Sequence, residues 1–397
     1  MSRTSRRAGI VLLSLAIALL AANAALARWY PLPARMYGTD PELVYRPIPN
    51  ARSVKSVTEQ GATRWVTTQI DAQGFRAASA PGSGPCIAVY GDSFVFAEDV
   101  RTQDTFVEQL GLQFGSSGSI QTVNAGVVGY GPDQSCLRLE QEFERVHPDL
   151  VVLVLCSAND FGDLVRNKLF DLDGAGKLVR HAVEFAPELL QEFEAKARAA
   201  DAPALLRAWR SWRSEREERA RIAVAGGVQP PWIEWYLAQG QDEYKEYVVE
   251  HQLAVRQVWQ DYYDADLALH PEWESARYKQ RLMRAVLERM RDDCARRKLP
   301  FAVLIAPSAV DLCPQNEIHV DPRQYPSWDP ARLTRTLAQI LDELGVPSLD
   351  LYEPFRAAGA EQLFIGGGNM HWNAAGQELA AQLFAQFLRE RGVFGSR

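Results

Sequence analysis

Five short stretches of this chain are almost wholly apolar and rich in β-branched residues: Cys86–Tyr90, Ile120–Asn124, Leu150–Cys156, Phe301–Ala306 and Val346–Leu349. A short run with no polar face is what a strand needs when both its faces are covered, and a sheet covered on both faces is as a rule parallel. Between and after these runs lie helical patterns at Thr105–Phe114, Gln134–Arg145, Tyr278–Arg297, Pro330–Leu344 and Ala374–Arg391. The alternation predicts one parallel sheet with helices on both sides. No internal repeat interrupts it.

At 397 residues the chain exceeds the usual single domain of roughly 100–200 residues, so it holds an insertion or a second domain. The surplus falls between the third and fourth runs, at residues 161–277. Helix-like segments there (Pro187–Ala199, Ala202–Arg221 and Asp242–Tyr263) are broken near Gly226-Gly227 and Pro230-Pro231. Six of the ten tryptophans fall in this insertion. They read either as its own small core, since aromatics dominate such cores, or as a lid or a stacking platform for sugar rings. Residues 28–84 are turn-rich, with Pro31, Pro33, Pro41, Pro47 and Pro49.

The amino terminus has its own logic. Arg3, Arg6 and Arg7 precede Ala8–Ala27, which carries no charge and ends in Ala25-Leu26-Ala27. A basic start, an apolar core and a small-x-small end read as an export signal over residues 1–27. The stretch also has about the ~20 residues that span a bilayer, so an uncleaved membrane anchor is the second reading. Either one places the remainder outside the cytoplasm, in a periplasm or secreted.

Charge and cysteines exclude other classes. With 43 basic against 50 acidic residues the formal charge is −7, the wrong balance for a general nucleic-acid binder. Five cysteines without a C-x-x-C spacing make neither a zinc cage nor a disulfide framework, and a single Cys294–Cys313 pair stays open. H-E-x-x-H and phosphate-loop motifs are absent from the sequence, and no cofactor or metal is called for. Nothing in the sequence settles the oligomeric state.

In an open parallel sheet, ligands bind beyond the carboxyl ends of the strands. Gly91-Asp92-Ser93-Phe94 comes after the first run, Ala125–Gly131 after the second and Ser157-Ala158-Asn159-Asp160 after the third; Asn369-Met370-His371-Trp372-Asn373 comes after the last. Together they supply a hydroxyl, close-approach backbone amides, a side-chain amide and an imidazole, the inventory of an acyl-transfer site. Ser93 also suits a helix N-cap, and Asn159-Asp160 could simply cap the next segment.

In order, spacing and placement after successive strands, these four blocks resemble the SGNH (GDSL-type) hydrolases, in a bacterial form with a His-Trp-Asn block. The likeness covers residues 85–160 and 278–397, together with an upstream Asp71-Ala72-Gln73-Gly74-Phe75-Arg76 segment; the insertion has no counterpart in it. The resemblance implies a three-layer α/β/α, flavodoxin-like fold. It implies Ser93 as nucleophile and His371 as general base. The Ser93 and Gly129 backbone N–H groups and the Asn159 amide would form the oxyanion hole. Asp92 reads as a loop-fixing residue rather than a catalytic acid.

One departure matters. Members of the family usually place an Asp two or three residues before the histidine; here those positions are Asn369 and Gly368. An Asn can orient the ring but brings no charge to support an imidazolium. Three explanations stand side by side: a Ser–His pair of reduced rate, substitution by Asp350 after the last strand, or a degenerate site. On this reading Asn369→Asp should raise activity. The functional expectation is a serine esterase acting on small acyl esters, acetyl above all, with carbohydrate esters as the substrate class. The alternatives are a polysaccharide O-acyltransferase using the same site and a glycan-binding or assembly protein that has lost turnover.

Overall fold

Five strands form the central sheet: β1 (Cys86–Tyr90), β2 (Gln121–Asn124), β3 (Leu150–Cys156), β4 (Phe301–Ala306) and β5 (Ser348–Asp350). All are parallel, in the order β5-β4-β3-β1-β2. Every residue of β1, β3 and β4 is buried, which is why these strands read as unbroken apolar runs. This is the flavodoxin-like order, and it reverses between β1 and β3. The crevice beyond the carboxyl ends of those two strands is therefore where a ligand site is expected. The computed structural model describes residues 3–29, 35–59, 61–78, 82, 84–115, 119–210, 212–213, 232–259, 262–366 and 368–394.

Helices cover both faces. The amino-terminal helix α1 (Arg3–Trp29) stands outside the sheet. A single turn, α2 (Ser93–Phe96), succeeds β1, and α3 (Phe106–Phe114), α4 (Pro132–Val146) and α5 (Asp160–Asn167) come next. Further along are α6 (Pro187–Ala200), α7 (Trp232–Tyr244), α8 (Glu274–Arg296), α9 (Arg332–Glu343) and α10 (Ala374–Glu390). Helix α3 packs on α10, with Phe106 against Phe384, while α8 packs on α4, α5 and α9. The result is the expected three layers.

Several elements differ from the sequence expectation, each for a local reason. β5 starts at Ser348 rather than Val346, because the Val346 N–H closes helix α9 on the Leu341 carbonyl (2.9 Å) after Gly345 at φ 67°. Asp242–Tyr263 is not one helix. The α7 helix ends in a π-turn at Lys245–Val249, the chain reverses at His251 (φ 55°), and Ala254–Val255 pairs in parallel with Glu184–Phe185. Tertiary pairing overrides the local helical pattern there. Of the Ala202–Arg221 segment a helix spans 204–210; 214–231, with both expected breaks, lies outside the described residues. Residues 28–84 hold two antiparallel hairpins, Tyr37–Asp40 with Val44–Pro47 and Arg52–Glu59 with Ala62–Gln69.

All five cysteines are buried and free, so the Cys294–Cys313 pair is not formed. Helix α1 carries an exposed span, Ser5–Arg28, long and apolar enough to cross a membrane. Within the insertion, Trp232, Trp235, Tyr236 and Tyr262 pack together, and Trp259 packs on Tyr37, Tyr45 and Phe193.

Candidate active site

Ser93 stands where β1 gives way to α2, and the backbone there is tightly specified. Gly91 has φ 151°, and a Cβ on it would lie 2.7 Å from the Val154 carbonyl oxygen of β3, so only glycine fits. Asp92 caps α2, its Oδ1 accepting the Phe94 N–H at 2.8 Å. Asp92 thus fixes the start of the turn that carries Ser93. At the other end of the turn the carbonyls of Phe96, Ala97 and Val100 all accept from the buried guanidinium of Arg76, that of Val100 at 2.8 Å. Burial pushes the Arg76 pKa down to about 10. The Asp71–Arg76 segment therefore serves the Ser93 turn by satisfying its open carbonyls.

His371 arrives on an antiparallel hairpin, Phe364–Gly366 with Asn369–Trp372. The hairpin is pinned by Trp372, fully buried edge-on against Phe94 (centroids 5.0 Å apart) and beside Phe355. This brings His371 Nε2 to 2.8 Å from Ser93 Oγ across 278 residues of sequence. On the other side of the ring, Nδ1 is 2.9 Å from Asn369 Oδ1, which also accepts the His371 backbone N–H at 3.0 Å.

The chain of contacts continues one step further, to a residue that no sequence motif marks. Asn369 Nδ2 donates to Asp99 Oδ2 at 3.0 Å, and that oxygen is itself 3.5 Å from His371 Nδ1. A carboxylate only accepts, so the Asn369 NH₂ must face Asp99 and its carbonyl oxygen must face the imidazole. Nδ1 then carries the ring proton, and Nε2 presents a lone pair to the Ser93 hydroxyl. Asp99 is buried and ion-paired at 2.8 Å to Lys55, from the Arg52–Glu59 strand, which also reaches Glu98. Burial would raise the Asp99 pKa, but the charges of His371 and Lys55 and the Asn369 hydrogen bond together hold it below the ordinary carboxylate range. Burial works against the Lys55 charge too, but Glu98 and Asp99 outweigh it and raise its pKa.

Asp350 does not substitute for the missing neighbour. It lies at the end of edge strand β5, accepts the Tyr352 N–H at 2.8 Å, and burial raises its pKa. The premise that the site lacks a nearby carboxylate is corrected by Asp99. The only sequence signal for it is an acidic pair, Glu98-Asp99, shortly after Ser93 in an otherwise apolar stretch.

Asn159 lies just past β3, whose terminal Cys156 N–H is taken by Asp160 Oδ2 at 2.7 Å. One proton of its amide goes to Asp163 Oδ2 at 2.8 Å, and Asp163 is fully buried and ion-paired to Arg166. The NH₂ group has a second donor to offer. Ser93, Asn159, Asn369 and His371 line one cavity of about 460 Å³, together with Lys55 and Ser308. Gly129, in the loop after β2, has φ 75° but is not among the lining residues, and neither is any tryptophan of the insertion. Among the described residues no group of three or more His, Cys, Asp or Glu is placed to hold a metal ion.

No family model and no curated protein matches the chain. Similar solved structures include a lipase/acylhydrolase from Enterococcus faecalis, 14% identical, covering 77% of this chain and 96% of that one at a TM-score of 0.35. An acetylxylan esterase from Geobacillus stearothermophilus is 14% identical over 80% of this chain and 98% of its own, at a TM-score of 0.34. A putative SGNH hydrolase from Slackia heliotrinireducens is 11% identical over 77% and 100%, at 0.35. These are distant likenesses. The parallel sheet itself, in flavodoxin-like order with Ser93 and Asn159 at its switch point, is the architecture that the resemblance to the SGNH hydrolases implies.

Proposed function

We propose that this chain is a serine esterase of the SGNH type that removes small acyl groups, acetyl in the first place, from carbohydrate esters outside the cytoplasm. The observation that carries the proposal is the 2.8 Å Ser93 Oγ–His371 Nε2 contact at the carboxyl end of the sheet, with Asn159 in the same cavity.

In this reading His371 Nε2 takes the Ser93 proton as Oγ attacks the ester carbonyl. Negative charge develops on the carbonyl oxygen, and the Asn159 amide with the Ser93 and Gly129 N–H groups would meet it. The intermediate collapses, His371 returns the proton to the leaving alcohol, and the acyl group stays on Ser93. Water, activated by the same imidazole, then releases the acid and restores the enzyme. The cavity of about 460 Å³ has room for a small acyl group beside Ser93. Helix α1, exposed and of membrane-spanning length, supports an extracytoplasmic site held at a membrane or released from it.

The test is p-nitrophenyl acetate hydrolysis by the full chain in detergent, beside the Ser93→Ala variant. The variant should fall to the uncatalysed rate. Equal rates in both would reject the proposal.

A further inference from the structure

Resting on that reading, we propose that Asp99 is the residue that orients and charges the catalytic imidazole, acting across the Asn369 side chain, and that Lys55 sets how strongly it does so. The acid comes from the turn behind α2, 270 residues before the amide that links it to His371. Asn369 holds the ring with its Oδ1 and presents its Nδ2 to Asp99. The bridge thus transmits orientation, while the charge acts through space over the 3.5 Å between Asp99 Oδ2 and Nδ1.

Geometry gives each partner a distinct part. Asp99 fixes which way the Asn369 amide faces; with an acceptor-only partner at Nδ2, the reversed amide would set two oxygens against each other. That choice in turn fixes the tautomer that leaves Nε2 free to accept from Ser93. Its negative charge favours the imidazolium that forms when His371 takes the Ser93 proton. Lys55, 2.8 Å from the other carboxylate oxygen, opposes that charge and so tempers the effect. Other charged groups around the site include Asp92, buried beside Ser93 in the turn, Glu98, paired to Lys55, and Glu317, whose carboxylate lies against Gly368. Asp99 and Lys55 are positioning residues, since both act through His371.

The two substitutions have opposite signs, which a merely structural role would not produce. In the full chain, the titration of His371 is followed by nitrogen-detected NMR of labelled histidine, assigned with His371→Gln. Asp99→Asn should lower the His371 midpoint by about one pH unit or more, because the interaction that now favours the charged ring is lost. Lys55→Met should raise it, because a cation that disfavours the charged ring is removed. In kinetics Asp99→Asn should lower kcat by on the order of 10²–10⁴ with little change in KM, as expected when the tautomer and the imidazolium lose support. Asp99→Glu, which keeps the charge, should restore most of the midpoint. A His371 midpoint unmoved in both Asp99→Asn and Lys55→Met, or moved the same way by both, would overturn the proposal. The titration needs no turnover, so its failure is separable from a failure of the esterase reading, which the Ser93→Ala comparison decides alone.

Discussion

Asn369→Asp is the substitution on which sequence and structure disagree most sharply. Judged by family pattern it restores a missing acid and should raise activity. In the structure it sets a second carboxylate 3.0 Å from Asp99, in place of a hydrogen bond. Two unit charges at that distance repel by about 5–6 kcal/mol at an effective dielectric near 20. The pair relieves this by taking up a proton, as close carboxylates do. Raising one carboxyl pKa costs about 1.4 kcal/mol for each pH unit that the solution lies above the unfolded value near 4. At pH 5 the loss should therefore be about 1–2 kcal/mol. At pH 8 proton uptake no longer caps it, and with Lys55 offsetting part of the repulsion it should reach about 3–4 kcal/mol.

The sign comes from linkage. The mutant pair has a raised folded-state pKa, so the variant is least impaired below the unfolded carboxyl pKa and loses stability as pH rises through the folded one. Urea denaturation of wild type and variant at pH 5 and pH 8 reads this directly, and p-nitrophenyl acetate turnover should show no gain. A variant relatively more stable at pH 8 than at pH 5, or one about tenfold faster than wild type, would refute the reasoning.

Two further substitutions probe the machinery around the serine. Asn159→Ala should lower kcat by about 10²–10³ with KM nearly unchanged, as when one oxyanion donor is removed; steady-state kinetics on an acetyl ester checks it. Arg76→Met should destabilise the fold by about 3 kcal/mol, since the Phe96 and Val100 carbonyls around α2 lose the guanidinium donor and the Ala97 carbonyl keeps only the Val100 N–H. It should also depress kcat by loosening the Ser93 turn, measured by urea denaturation beside ester turnover.

Legible in the sequence is whatever is local and periodic. The strands β1, β3 and β4 declare themselves because burial on both faces leaves no room for polar residues. Ser93, Asn159 and His371 can be located because each sits just past such a run or in a distinctive block. The two hairpins before β1 are hidden by proline-rich turns and half-polar strands such as Arg52–Glu59, whose alternation is weak. Asp242–Tyr263 misleads because only its start, the end of α7 and the π-turn at Lys245–Val249, is helical, while a strand pairing with Glu184–Phe185 sets the path of the chain beyond His251. Asp99 stays hidden for a different reason. Its meaning depends on a side-chain bridge between segments that only the folded chain brings together, and on its own an acidic pair reads as solvated surface. Arg76 belongs to the same kind: the Asp71–Arg76 segment is visible in the sequence, but its task of capping the carbonyls behind Ser93 is not.

The central claim is that Ser93 is a nucleophile activated by His371. It is tested most directly by treating the full chain with a small alkyl fluorophosphonate and mapping the adduct by mass spectrometry. The account predicts one adduct per chain, on Ser93, absent in Ser93→Ala and formed far more slowly in His371→Ala. An adduct retained in Ser93→Ala, or none in the folded wild-type protein, would contradict it.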